Sequence, residues 1–170
     1  MGPSRRPVVL VADDSELVRR IAENVLSAAG YRVVLAMDGE RALAAARREI
    51  PDVVVLDLLM PHMTGFDVLR EMKQSDRLRD TPVLVMSGVY KESVVGFLAR
   101  LGAEGFIDKE SLAETLAFRV RAVLERPAPS AGAGRSAAGR GVGPYRPEWC
   151  DACAAAGDSP VAERGESRSV

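Results

Sequence analysis

The chain has 170 residues, 47% of them hydrophobic and 28% charged, which suits one globular domain with an appendage better than two full domains. A formal net charge of −1 gives no support for a nucleic-acid surface or an acidic-membrane anchor. No apolar run approaches the roughly 20 residues of a membrane span, and the run after the basic start Met1–Pro7 is too short for an export signal, so a cytoplasmic setting is expected.

Val8–Ala12 is a short apolar run bounded by Pro7 and Asp13. Residues 15–29 then set Leu17, Val18, Ile21, Val25, Leu26 and Ala29 at helical spacing, with Gly30 as a stop. Arg32–Ala36 is a second, β-branched run, and Asp38 can cap an Ala- and Arg-rich helix that ends before Pro51. Val53–Leu56 is the third run, wholly apolar. Pro61 and Gly65 mark a loop before Phe66, Val68, Leu69 and Met72 resume a helical period. Pro82 opens the fourth run, Val83–Met86. Residues 91–101 read as a helix stopped by Gly102, and Gly105–Ile107 as a brief fifth strand. Ser111, with Glu114 three residues on, predicts a capping box for a last helix over 112–125.

Five short runs, each followed by a helix, argue βαβ units and a parallel sheet. The first, third and fourth runs lack alternation, so those strands should be covered on both faces. With right-handed crossovers the expected fold is a doubly wound three-layer α/β/α domain. Residues 127–148 are dominated by Ala, Gly, Pro, Ser and Arg without period, and no apolar face follows to Val170. The division is therefore an extension over 1–6, a folded domain over 7–126 and a disordered tail over 127–170. Both cysteines, Cys150 and Cys153, lie in that tail, so the core must stand on packing alone in a reducing compartment.

In an open α/β sheet, ligands sit outside the carboxyl ends of the strands. Those ends carry Asp13-Asp14, Asp57, Ser87-Gly88 and Asp108-Lys109. Taken singly, Asp-Asp reads as a helix cap, Ser-Gly as a turn and a lysine as a solvated charge; their joint placement at four strand ends is what points to a site. Three carboxylates at close quarters need a proton or a divalent cation. Oxygen ligands favour Mg²⁺, which keeps waters for a phosphate oxygen. A carboxylate can attack phosphorus to give an aspartyl phosphate, while a lysine and a serine suit the phosphoryl oxygens. No histidine or cysteine ends a strand, so acyl-phosphate formation fits better than acid/base work.

The segments Val-Ala-Asp13-Asp14-Ser, Val-Val-Leu-Asp57-Leu-Leu-Met-Pro61-His-Met-Thr-Gly65, Val-Met-Ser87-Gly88 and Gly-Ala-Glu-Gly-Phe106-Ile-Asp-Lys109 resemble the receiver domain of bacterial two-component response regulators, close in layout to the stand-alone chemotaxis regulator. The resemblance spans about residues 7–125. It implies a flavodoxin-like sheet of order 2-1-3-4-5, with Asp57 as the phosphoacceptor charged by a sensor histidine kinase. It also implies a Mg²⁺ held by Asp14 directly, by Asp13 through water and by the Leu59 backbone carbonyl. Ser87 and Lys109, with Gly88 beside them, would hold the phosphoryl oxygens. Movement of Ser87 would let Phe106 rotate, altering a target-binding face made of the fourth helix, fifth strand and fifth helix.

Three departures from the family pattern bear on this. Position 106 is Phe where many relatives have Tyr, so the switch residue has no hydroxyl for a partner. Lys109 is followed by Glu110 where a cis proline is usual; a non-proline cis bond costs about 3–4 kcal/mol, so a trans bond and a shifted Lys109 loop are expected. Leu59 and Val89, flanking the mouth of the site, are both apolar and should hinder the attacking water.

Cys150-Asp-Ala-Cys153 has metal-knuckle spacing but lacks two further ligands, leaving redox pairing, zinc shared between two chains, or an inert tail. Tyr145 and Trp149 could form a short docking motif. His62, the one histidine, reads as an exposed loop residue rather than a phosphocarrier. The reading is a single-domain switch, not an enzyme beyond its own phosphorylation and dephosphorylation. It would signal through protein binding, with a phosphorylation-linked dimer open and no nucleic-acid or membrane partner. The rivals are a phosphorelay intermediate passing phosphate to a histidine phosphotransfer protein and a phosphate-independent scaffold. An aspartate-nucleophile phosphatase would show Asp-x-Asp, whereas Asp57 precedes Leu58-Leu59.

Overall fold

The computed structural model describes residues 5–88 and 92–125. Five strands and five helices alternate along it: β1 (Val8–Ala12), α1 (Glu16–Ala28), β2 (Arg32–Ala36), α2 (Gly39–Glu49), β3 (Val53–Asp57), α3 (Gly65–Gln74), β4 (Val83–Ser87), α4 (Glu92–Arg100), β5 (Gly105–Asp108) and α5 (Leu112–Leu124). The strands form one parallel sheet of order β2-β1-β3-β4-β5, as the sequence and its family resemblance led us to expect.

Every residue of β1, β3 and β4 is buried, because alternate side chains enter two separate cores. Leu10, Val54, Leu56 and Val83 pack with Ala42, Val68, Leu69, Met72 and Leu98 on one face. Val9, Val11, Val53, Val55 and Leu84 pack with Ala22, Leu26, Leu116 and Val120 on the other. The edge strand β2 is exposed at Arg32 and Leu35, which follows from its mixed composition.

Side chains at the helix starts set where each strand releases the chain. Asp38 accepts the Arg41 N–H at 2.7 Å and heads α2. Gly30 follows α1 with φ +91, a conformation that costs glycine nothing. At α3 the cap is reciprocal: Asp67 N–H donates to Thr64 Oγ1 at 3.3 Å, and Thr64 N–H donates to Asp67 Oδ2 at 3.2 Å. The capping box expected at Ser111 does not form. Ser111 already belongs to a single 3₁₀ turn, Lys109–Ser111, capped by Asp108, and its hydroxyl donates back to the Asp108 carbonyl at 3.3 Å. The extension before residue 5, Val89, and the tail with Tyr145, Trp149, Cys150 and Cys153 lie outside the described residues.

Candidate functional site

Helices α1 and α5 cover one face of the sheet and α2, α3 and α4 the other, so the winding reverses between β1 and β3. The crevice at that reversal opens at the carboxyl ends of the strands. Asp13 follows β1 and Asp57 ends β3, and both are enclosed, at 0% and 2% exposure. Asp14 is exposed beside them. One carboxylate oxygen from each of the three lies within 4.8 Å of the others.

Lys109 reaches this cluster from the end of β5. Its ammonium stands 2.7 Å from Asp13 Oδ2 and 2.8 Å from Asp57 Oδ2. All peptide bonds of the described residues are trans, so Glu110 enters the 3₁₀ turn without the cis bond usual in relatives. That turn delivers the ammonium to both carboxylates. Ser87 ends β4, buried, one residue beyond the Met86 that pairs with Asp57. Gly88 follows, where an added Cβ would lie 3.9 Å from the Lys109 Cβ.

The electrostatics follow from burial. Desolvation pushes the Asp57 carboxyl above its ordinary value; the Lys109 ammonium opposes this, the Asp13 charge adds to it, and the Leu59 N–H, 3.3 Å from Oδ1, opposes it again. Desolvation would lower Lys109, but Asp13 and Asp57 together override it and its pKa stands above the ordinary value.

The residues fit a hard divalent cation. Asp13 Oδ1 is occupied by the Ser15 N–H at 2.8 Å, whereas the buried Oδ2 has no aligned hydrogen bond and meets Lys109 only as an ion pair. Three carboxylates and one ammonium sum to −3 + 1 = −2, the charge a divalent cation cancels. When bound, Mg²⁺ would neutralise the carboxylates and orient phosphate oxygens through its remaining positions.

Around the cluster, the β3–α3 loop is pinned by the Gly65 N–H, which donates to the Leu58 carbonyl at 3.0 Å. Leu59 is half-exposed next to Asp57, and His62 is exposed with φ +66. Phe106 is partly buried against the core and lines a cavity of about 230 Å³ with Val95, Ile107, Ser111, Thr115 and Arg119. Sequence reasoning placed Asp13, Asp14, Asp57, Ser87 and Lys109 at strand ends, and folding brings them together. It missed Arg19, whose Nη1 donates to the carbonyls of Asp13 at 2.8 Å and Asp14 at 3.0 Å. It also missed the Thr64/Asp67 box, although the Thr-x-x-Asp pattern was there to find it.

Three carboxylates and an ammonium thus meet at the switch point of an open, doubly wound parallel sheet, the place where such α/β folds bind their ligands. The model of the response regulator receiver domain matches residues 9–121. Among curated relatives, the response regulator MprA of Mycolicibacterium vanbaalenii is 40% identical over 132 residues, covering 76% of this chain and 55% of that protein. The probable transcriptional regulator ycf27 of Guillardia theta is 38% identical over 120 residues, covering 69% and 45%. The chain spans about half the length of these relatives. Among solved structures, chemotaxis protein CheY4 of Vibrio cholerae superposes with a TM-score of 0.67 at 32% identity, covering 71% of this chain and 100% of that one. A response regulator from Chloroflexus aurantiacus gives 0.68 at 28% identity, covering 72% and 100%.

The chain belongs to the response-regulator receiver family. It is a phosphorylatable signalling domain of a family that takes phosphate from histidine kinases and binds Mg²⁺ at an acidic pocket. Among the described residues, no helix is long and apolar enough to cross a membrane.

Proposed function

We propose that Asp57 accepts a phosphoryl group from a histidine kinase and that the chain signals by phosphorylation-dependent protein binding. The observation that carries this reading is the Lys109 ammonium lying 2.8 Å from Asp57 and 2.7 Å from Asp13, a cation beside the nucleophile at the carboxyl end of the sheet. A carboxylate oxygen of Asp57 attacks phosphorus; the new O–P bond forms as the bond to the donor breaks, and the donor leaves with that electron pair. Lys109 then moves its contact from the carboxylate to a phosphoryl oxygen, joined by Ser87 and the backbone at Gly88. Asp14 directly, Asp13 through water and the Leu59 carbonyl would hold Mg²⁺, which would neutralise the carboxylates.

Exposed Leu17, in the first turn of α1, and Leu59, beside Asp57, lie at the same end of the sheet and offer apolar contacts to the phosphodonor protein. For the output, Phe106 faces a cavity between α4, β5 and α5, which gives it room to rotate as Ser87 is drawn to the phosphate. The domain boundaries at 6 and 126 and a cytoplasmic location belong to the same reading. Relatives named as transcriptional regulators supply a second output, control of a nucleic-acid-binding partner or segment.

The test is incubation with acetyl phosphate and Mg²⁺ followed by intact mass. A gain of one phosphoryl group that is absent in Asp57→Asn supports the switch. No gain with any donor favours a scaffold, and onward transfer to a histidine protein favours a relay. Capture of the target by phosphorylated protein alone supports protein-binding output.

A further inference from the structure

We propose that Arg19 is a positioning residue that holds the peptide units carrying Asp13 and Asp14 for a divalent cation. The inference rests on the acidic cluster being the metal site, and it concerns how the cluster keeps its shape. Asp13 is fixed twice over without Arg19. Its N–H donates to the Ala36 carbonyl at 3.2 Å, and its Oδ1 accepts the Ser15 N–H at 2.8 Å. Asp14 has neither kind of support: it is exposed, and among the described residues no hydrogen bond or ion pair is made by its carboxylate.

What holds Asp14 is its carbonyl, 3.0 Å from Arg19 Nη1, and the same nitrogen is 2.8 Å from the Asp13 carbonyl. One terminal nitrogen of a guanidinium carries two hydrogens in a fixed plane, so it can bridge two successive carbonyls. Arg19 is delivered by the second turn of α1, whose first bond beyond the cap is its own N–H to the Ser15 carbonyl at 3.1 Å. Its side chain therefore turns back from a rigid helix onto the loop that displays both acids. A carboxylate with no partner of its own is placed only as well as its backbone is placed. Outer contacts of this kind typically contribute about 10–100-fold to metal affinity.

A positive charge near the site could also weaken cation binding, so the sign of the effect separates the two roles. Mg²⁺ is titrated calorimetrically into the full chain, without phosphodonor, for the native protein, Arg19→Met and Arg20→Met. Arg20 is the exposed neighbour on α1, so its variant removes the same formal charge. We expect Arg19→Met to bind Mg²⁺ about 10-fold more weakly, with Arg20→Met unchanged. Equal or tighter binding by Arg19→Met overturns the positioning role, and so does an equal loss in Arg20→Met. Should Arg19→Met fail to fold, Arg19→Lys, which keeps the charge but not the planar fork, carries the same expectation with a few-fold loss. A native protein that binds no Mg²⁺ at all overturns the metal reading itself, a result distinct from loss in the variant alone.

Discussion

Replacing Gly65 by alanine sets two opposed effects against each other, and the structure decides between them. Gly65 is the first residue of α3, where alanine would gain up to about 1 kcal/mol of helix propensity. Against this, an alanine Cβ would stand 2.0 Å from the Asp57 carbonyl oxygen and 2.8 Å from the Leu58 Cα. Ordinary contact begins near 3.4 Å, so the loop must retreat by 3.4 − 2.0 = 1.4 Å, and the obstacle is backbone at the end of a buried strand. That retreat breaks the Gly65 N–H bond to the Leu58 carbonyl, worth about 1 kcal/mol, and adds an overpacking cost of about 3 kcal/mol. The net expectation is a loss of about 3 kcal/mol in urea unfolding at unchanged slope. The same displacement moves Asp57 relative to Lys109, and an error of about 1 Å at a reacting centre can cost 100-fold in rate. Initial rates of acetyl-phosphate labelling should therefore fall along with stability. A Gly65→Ala protein as stable as the native one, labelled at the native rate, would refute the close-approach reasoning.

Other substitutions probe separate parts of the structure. Lys109→Met should slow labelling of Asp57 by roughly 100-fold, as loss of one preorganised charge-stabilising donor does; a native rate would remove Lys109 from the chemistry. Leu59→Asn combined with Val89→Glu should shorten the phosphoryl lifetime, followed by decay of the labelled species after donor removal, and an unchanged half-life would show that the apolar mouth does not hinder water. Lys73 Nζ donates to the carbonyls of Arg79 and Thr81, both at 3.0 Å, so Lys73→Met should cost about 2 kcal/mol in urea unfolding. The Thr64 hydroxyl, followed by the Thr64 N–H and Arg70, holds the Asp67 carboxyl below its ordinary value despite opposing desolvation. A depressed folded-state value means stability present above the ordinary pKa and lost as pH falls through the folded one. Asp67→Asn should flatten the acid-side fall in unfolding midpoint as pH drops through and below the ordinary carboxylate range, and a slope identical to the native one would count against the cap.

The strand and helix order was legible because it depends on local chemistry. Unbroken β-branched runs between Pro, Gly and Asp are strands in almost any setting, and strand ends collect ligand-binding residues in a parallel sheet. That logic marks Asp13, Asp57, Ser87 and Lys109 from the sequence alone. Tertiary structure decided which groups touch. Lys109 lies far along the chain from both carboxylates it pairs with, and only sheet order brings β5's end toward β1 and β3. Ser111 and Thr64 look alike as caps in sequence, yet one turns to the Asp108 carbonyl and the other closes a box with Asp67. The difference is the direction of the incoming backbone, which packing sets. Arg19 was silent for the same reason: its side chain is an ordinary surface arginine until the β1–α1 turn places two carbonyls within its reach.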